Sequence, residues 1–170
     1  MRKITVILTL CSLIVFCDGK LPTGPTLTDF GPRGPTRISP MGFFEIYAHD
    51  YGRVTDDHLE MADKLWLAVC DCVGFNPHRI KHYSMLLWRD FNTCGSVDGI
   101  LGCYYHYGKN GGHISVVGGL EFVANQSLAW RKKELERIWR HEMIHLIFSL
   151  KHGEANTGHD REEWSCQHGP

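Results

Sequence analysis

The chain has 170 residues, enough for one domain with a buried core, and its formal net charge is -1. A charge so close to zero gives no indication of the basic surface with which proteins hold nucleic acids or anionic membranes. We expect no nucleic-acid partner and a monomeric protein.

The N-terminal segment 1–17 predicts a signal peptide for export. Arg2 and Lys3 give it a positive start, and the apolar run 4–16 is too short to span a bilayer comfortably. Two processing routes are open. Cys17 resembles the lipidated cysteine of bacterial lipoproteins, which would tether the protein to a membrane, whereas ordinary cleavage near residue 19 would release it. The lipoprotein route is slightly favoured, and either route makes the protein periplasmic or extracellular.

Residues 18–41 predict a tether between the leader and the folded domain. They hold five of the seven prolines together with several Gly and Thr residues, a composition that cannot build a core. The folded domain is therefore expected to span residues 42–170.

The first predicted helix begins at Thr55 or Asp56, either of which can cap it, and Gly74 ends it. Its apolar residues recur at helical spacing, at Leu59, Ala62, Leu65, Trp66, Val69 and Val73. Four short apolar runs predict strands. One lies before this helix, at 43–48, and three lie after it, at 83–89, 100–107 and 113–117. Turn-forming residues separate the later strands, at 94–99 and 108–112.

A His-Glu-x-x-His pattern occurs at His141, Glu142 and His145. Residues four apart lie on one face of a helix, so both imidazoles can bind one metal ion. Glu142 lies beside that face, where it can take a proton from an attacking water without being a ligand. No Gly or Pro interrupts 127–150, and Gly153 follows as a helix-ending residue. This stretch therefore predicts a metal-binding helix near the C-terminus.

A catalytic zinc ion needs a third protein ligand and an open position for water. We expect that ligand shortly after the helix ends, where the chain can fold back. His159 is the first choice because it lies in the turn-forming stretch 156–160, with Asp160 as the partner that holds its ring. Glu162 and Glu163 are the next candidates.

The motif that begins at His141, with Gly158 and His159 behind it, resembles the zinc site of zincin metallopeptidases and in particular of SprT-like metallopeptidases. It departs from the metzincins, because Phe148 and Lys151 stand where those enzymes have a Gly and their third His. The resemblance implies a small α+β, zincin-like domain. That domain would have an N-terminal helix, a short, mostly antiparallel sheet and a C-terminal metal-binding helix.

A zincin holds its extended substrate along an edge strand beside the metal-binding helix. The run 113–117, which glycines flank, is a candidate for that edge, and an interior strand is the alternative. The donor to the developing oxyanion stays open among several residues, which are Tyr104, Tyr105, His106, Tyr107, His113 and Arg161.

Five cysteines follow the leader, namely Cys70, Cys72, Cys94, Cys103 and Cys166. In an exported chain they favour disulfides. Cys70 and Cys72 point to different sides of a helix and should have different partners. Cys94 and Cys103 can close a short loop, Cys166 can pin the tail, and the odd number leaves one thiol free unless Cys17 is retained. A cysteine-based zinc site is disfavoured because Cys70-x-Cys72 lacks the usual ligand spacing.

These patterns predict an exported zinc metallopeptidase that hydrolyses a peptide or protein substrate. Zn²⁺ is expected at His141, His145 and His159, with Glu142 as the general base. Two alternatives remain open. One is a zinc-holding but inactive protein, and the other is a metal-free, disulfide-stabilised surface binding protein.

Overall fold

The computed structural model describes residues 36–77, 82–90, 92–94, 97–106, 112–156 and 158–169. The predicted leader and all but the end of the predicted tether lie outside these residues, as does most of the predicted turn at 108–112. Within the described ranges, no helix has both the length and the apolar character needed to cross a membrane.

The elements in chain order are β1 Arg37–Ile38, β2 Phe44–Ala48, α1 Asp56–Val73, β3 Tyr83–Trp88, β4 Asn92–Cys94, β5 Val97–Ile100, β6 Gly102–His106, β7 Gly112–Val117, α2 Leu128–His152 and a 3₁₀ helix at Glu162–His168. We call the last of these the C-terminal 3₁₀ helix. Five strands form one sheet in the order β1-β2-β3-β7-β6, and β4 and β5 form a separate hairpin.

The α+β class is confirmed, but the sheet is mixed rather than mostly antiparallel. Its interior strands β2, β3 and β7 are parallel, and only β1 and β6 at the two edges run antiparallel to their neighbours. The physical reason is the connection through α1, because a helix that crosses from β2 to β3 returns the chain in the same direction.

The folded domain begins earlier than residue 42. Arg37–Ile38 pairs with β2, and Ser39 is buried, with its hydroxyl donating to Asp63 at 2.6 Å. The backbone N–H of Met41 donates to the other oxygen of the same carboxylate at 2.6 Å. The end of the predicted tether is therefore part of the domain, because Asp63 on α1 binds it.

Helix α1 begins in a capping box in which His58 replaces the usual Glu or Gln. The backbone N–H of Thr55 donates to Nδ1 of His58 at 3.0 Å, and Nε2 lies 2.9 Å from the carbonyl oxygen of Gly118. Because a carbonyl oxygen only accepts, Nε2 carries the proton and Nδ1 is the acceptor. This neutral imidazole joins the start of α1 to the end of β7.

The fold is expected to lose stability as the pH falls below about 6.5, in part through His58. Burial lowers the pKa of His58, although its bond to Gly118 opposes the shift. The unfolded chain then binds more protons than the folded one, so acid favours unfolding. Urea unfolding at pH 7.5 and pH 5 should show a smaller pH dependence for His58→Gln, which keeps a capping acceptor. Identical pH dependence in both proteins would contradict this account.

The buried face of the sheet positions α2. Ala48, Leu87, Val116 and Gly102 lie side by side in one row across four strands, because the registers of these strands match. On α2, the indole N–H of the fully buried Trp139 donates to the carbonyl oxygen of Val117 at 2.9 Å. This hydrogen bond sets the position of α2 along the sheet, and it does so only two residues before His141 in the chain.

Two disulfides cross-link the described part of the chain. Cys94 pairs with Cys103, which joins the β4–β5 hairpin to β6, and Cys72 pairs with Cys166, which joins α1 to the C-terminal 3₁₀ helix. Cys70 is a buried free thiol. Of the two cysteines on α1, only Cys72 has a disulfide partner, so the expectation of one free thiol is confirmed, whereas the expected partner for Cys70 is not found among the described residues. The disulfides indicate that the protein folds in an oxidising environment outside the cytoplasm.

Candidate metal centre

Helix α2 presents His141 and His145 one turn apart on the same face. Its N-cap is Ser127, whose hydroxyl accepts from the backbone N–H of Trp130 at 3.2 Å. It ends at Gly153, whose φ of 77° lies in the left-handed region that favours glycine. The chain can therefore reverse directly after the last turn.

The returning loop brings His159 to the two helix histidines. His141, His145 and His159 each offer a ring nitrogen, and these atoms lie within 4.8 Å of one another. Among the described residues, no second group of three or more His, Cys, Asp or Glu side chains has its ligand atoms this close together. The next candidates, Glu162 and Glu163, begin the C-terminal 3₁₀ helix and are not part of this group.

The loop holds His159 in an unusual backbone conformation. Asn156 and His159 have φ values of 49° and 50°, a region that non-glycine residues seldom adopt. The side chain of Asn156 offsets this cost, because it accepts from the Trp164 indole at 2.7 Å and donates to Asp160 at 2.8 Å. Asp160 is exposed, and its support of the His159 ring remains a prediction.

Hydrogen bonds behind the rings determine which nitrogen of each helix histidine faces the shared point. Nδ1 of His145 lies 2.6 Å from the carbonyl oxygen of Ala155, and Nδ1 of His141 lies 3.0 Å from Oε1 of Gln167. Both partners are acceptors, so both Nδ1 atoms carry the proton and both Nε2 atoms have a free lone pair. Nε2 of His145 lies 3.2 Å from Nε2 of His159.

The environment keeps the two helix histidines neutral. Burial lowers the pKa of His141 to about 4, and the hydrogen bond to Gln167 opposes part of this shift. Burial also lowers the pKa of His145, with a smaller contribution from His141. Neutral imidazole is the form that binds metal ions, so at neutral pH the cluster is ready to bind one.

Trp164 forms an apolar wall behind the cluster. Its ring centroid lies 5.0 Å from that of His141, 4.6 Å from that of His145 and 4.3 Å from that of His159. It is 5% exposed and also packs on Phe148. Such a wall limits the motion of all three rings and keeps solvent from one side of the site.

Glu142 lies between α2 and β6. A Cβ atom added to Gly102 would stand 2.6 Å from Oε1 of Glu142, so only a glycine leaves room for this carboxylate. Burial raises the pKa of Glu142 to about 8, and Arg137 opposes part of the rise. Burial thus favours the neutral form of this carboxyl, and positive charges nearby favour its charged form.

One face of β6 runs along α2 beside the histidines. Gly102 meets Glu142, Tyr104 stacks on His145 with 6.1 Å between ring centroids, and Nδ1 of His106 lies 2.7 Å from the hydroxyl oxygen of Ser149. Gly102, Tyr104 and His106 share this face because every second residue of a strand points to the same side.

The same alternation narrows the candidates for the oxyanion donor. Tyr105 points to the opposite face of the sheet, where it stacks on His113 with 4.5 Å between ring centroids. Arg161 pairs with Glu154 at 2.9 Å, and Tyr107 lies outside the described residues. Tyr104 and His106 are left on the side of α2.

The interpretation of 113–117 as a substrate edge is wrong. Strand β7 lies between β3 and β6, so its backbone groups are already paired on both sides. Among the described strands, the one at the edge beside α2 is β6 instead, because β7 lies between β3 and β6 in the sheet. The alternative interpretation, an interior strand, is confirmed.

The structure therefore brings together the three histidines predicted for the site, His141, His145 and His159, and places the Glu142 carboxylate against Gly102 of β6. Sequence reasoning missed the residues that surround them, which are Gly102, Trp164 and Gln167. The alternation of Gly, Tyr and His along β6 was a usable signal, whereas nothing in the sequence marks Trp164 or Gln167. No family model, no curated protein and no solved structure gives a significant match to this chain.

Proposed function

We propose that the protein is an exported zinc-dependent peptidase. The observation that carries the proposal is the cluster of His141, His145 and His159 with Glu142 beside it. Two of the three rings turn Nε2 toward the shared point through hydrogen bonds on their other nitrogen. Three imidazole nitrogens that can share one metal ion, with a glutamate on the same helix, are the residues that a catalytic zinc site needs.

The distances in the cluster fit zinc. Two nitrogens that each lie about 2.0–2.1 Å from a tetrahedrally bound zinc ion are roughly 3.3 Å apart. The Nε2 atoms of His145 and His159 are 3.2 Å apart, and the nitrogen of His141 is within 4.8 Å of both. The cluster therefore fits three imidazole ligands around one zinc ion.

In the proposed mechanism, His141, His145 and His159 would hold the metal through Nε2, and Glu142 would move the protons. A zinc ion held there would polarise a carbonyl group and lower the pKa of a bound water to about 7. Glu142 accepts the proton of the attacking water and later donates it to the leaving amine. Tyr104 and His106 are the candidates to donate a hydrogen bond to the carbonyl oxygen of the substrate.

An extended peptide is the substrate that β6 suits. In the part of the chain that the structure describes, β6 is the last strand of the five-stranded sheet and pairs there with β7 alone. A peptide that pairs with this edge would pass alongside α2 and the histidines. We infer that the substrate binds as an added strand.

The disulfides and the composition of the leader support a location outside the cytoplasm. We propose that segment 1–17 directs export, and that Cys17 is lipidated so that the residues after it hold the domain off the membrane. Release after ordinary cleavage near residue 19 is the alternative. Mass spectrometry of the exported protein separates the two, since lipidation adds acyl chains to Cys17.

A second function has one observation in its favour. Glu142 is only 5% exposed, so the carboxylate lies deep beside Gly102. A protein in which this carboxylate never meets a substrate would hold zinc as part of a surface binding protein and hydrolyse nothing. The two functions differ in hydrolysis, not in metal content.

The first test measures zinc and hydrolysis in the exported, disulfide-bonded protein. We expect about one zinc per chain and cleavage of an unfolded protein substrate that a chelator abolishes and added zinc restores. One zinc without cleavage of any unfolded substrate would favour the binding protein. Absence of zinc from the folded protein would overturn the proposal.

Replacing Gly102 by alanine should reduce hydrolysis about 100-fold without removing zinc. The new methyl group would meet the Glu142 carboxylate at 2.6 Å and push it aside, and a displacement of about 1 Å can have an effect of this size. The measurement is kcat/KM together with zinc content. Full activity in Gly102→Ala would mean that Glu142 does not work from its observed position.

A further inference from the structure

The C-terminal 3₁₀ helix packs against α2 beside the metal cluster. Trp164 anchors it in the core, and Cys166 ties it to Cys72 of α1. Gln167 follows Cys166 directly and is partly buried, with its amide facing α2. A residue held so firmly can fix the orientation of its neighbour.

The orientation of the Gln167 amide follows from its two neighbours on α2. Its Oε1 lies 3.0 Å from Nδ1 of His141 and 3.5 Å from Nη1 of Arg137. A guanidinium group only donates, so the atom that faces Arg137 must be the amide oxygen and not the amide nitrogen. The ring nitrogen of His141 that faces this oxygen must then carry a proton.

Arg137 is itself held in place. Its guanidinium forms an ion pair with Glu134 one turn earlier on α2, with Nε at 3.0 Å and Nη2 at 2.5 Å from the carboxylate. The order of contacts is therefore Glu134, Arg137, Gln167 and His141, and each member restricts the next.

We propose that Gln167 is a positioning residue of the metal centre, which holds His141 as the Nδ1–H tautomer with Nε2 free for the metal. The proposal concerns the same site as the proposed function and rests on its metal ligands. Free imidazole exists as two tautomers, and only one of them leaves Nε2 able to bind. Without the acceptor, part of the population would have Nε2 protonated and facing the cluster.

The test uses two substitutions of Gln167 in the full exported protein. Gln167→Met keeps the length of the side chain and removes the acceptor, whereas Gln167→Glu keeps an acceptor. Outer contacts of metal-binding histidines contribute roughly 10–100-fold to metal affinity. We expect Gln167→Met to weaken zinc binding by that factor in a chelator competition, and Gln167→Glu to bind at least as tightly as the unmodified protein.

A second measurement needs no metal. In the metal-free protein, the ¹⁵N chemical shifts of the His141 ring report which nitrogen carries the proton. We expect the Nδ1–H tautomer in the unmodified protein and a mixture in Gln167→Met. Gln126→Met is the matched control, because Gln126 lies before the start of α2, roughly 20 Å from His141 along the helix.

Two results would overturn the proposal. One is zinc affinity in Gln167→Met that equals that of the unmodified protein, or that falls equally in Gln167→Glu. The other is a His141 ring that remains the Nδ1–H tautomer in Gln167→Met. If the unmodified protein bound no zinc, the proposed function would fail, but the tautomer measurement would still decide the role of Gln167.

Discussion

Replacing His159 by alanine is expected to weaken zinc binding by about a hundredfold or more. Zinc sites with four protein ligands bind with roughly 10–16 kcal/mol, so one ligand contributes about 3 kcal/mol, or a little over two powers of ten in Kd. His141 and His145 would remain on α2, but the loop would offer no third nitrogen. Chelator competition on the purified variant gives the Kd.

His152→Ala is the matched control for this loss. His152 lies on the last turn of the same helix, is exposed and is not part of the metal cluster. Its replacement should leave the zinc affinity unchanged. If His159→Ala also bound zinc normally, the third ligand would have to come from another residue, with Glu162 and Glu163 as the next variants to examine.

Replacing Glu142 by glutamine should lower kcat by about 10²–10⁴-fold while one zinc stays bound, because a positioned general base contributes a factor of this size. The amide has the same shape as the carboxyl but cannot take a proton from water. The variant should fold normally, since burial already disfavours the charged form of Glu142. Hydrolysis and zinc content are measured on the same preparation.

Glu136→Gln controls for the loss of a charge on the same helix. Glu136 pairs with Arg140 at 3.3 Å and lies away from the metal cluster, so its replacement should preserve hydrolysis. Unchanged hydrolysis in Glu142→Gln would exclude Glu142 as the base. If neither the two variants nor the unmodified protein hydrolysed peptides, the result would favour the alternative function, a zinc-holding binding protein.

The three-histidine cluster was predictable because its signals are local. His141 and His145 are four residues apart in a stretch without Gly or Pro, and helix geometry alone places them together. The limits of α1 and α2 follow from capping residues that act within one turn, such as Thr55 and Gly153. His159 was predictable from the turn-forming residues around it, although its backbone conformation was not.

The pairing of the strands was not predictable in the same way. The apolar runs mark β2, β3 and β7, but an apolar run does not indicate which strands pair with it in the sheet. The parallel interior and the edge position of β6 result from the crossover through α1 and from the insertion of β7 beside β3. The run 113–117 was therefore interpreted as an edge strand, although it lies inside the sheet.

By itself, the sequence determined the α+β class, the helix that carries two histidines of the cluster and the loop that carries the third, because each depends on residues close together in the chain. Only the tertiary structure decided what surrounds them. Gly102 meets Glu142 across 40 positions, and Gln167 reaches His141 across 26. Contacts over such distances form when the whole core packs, and no local pattern encodes them.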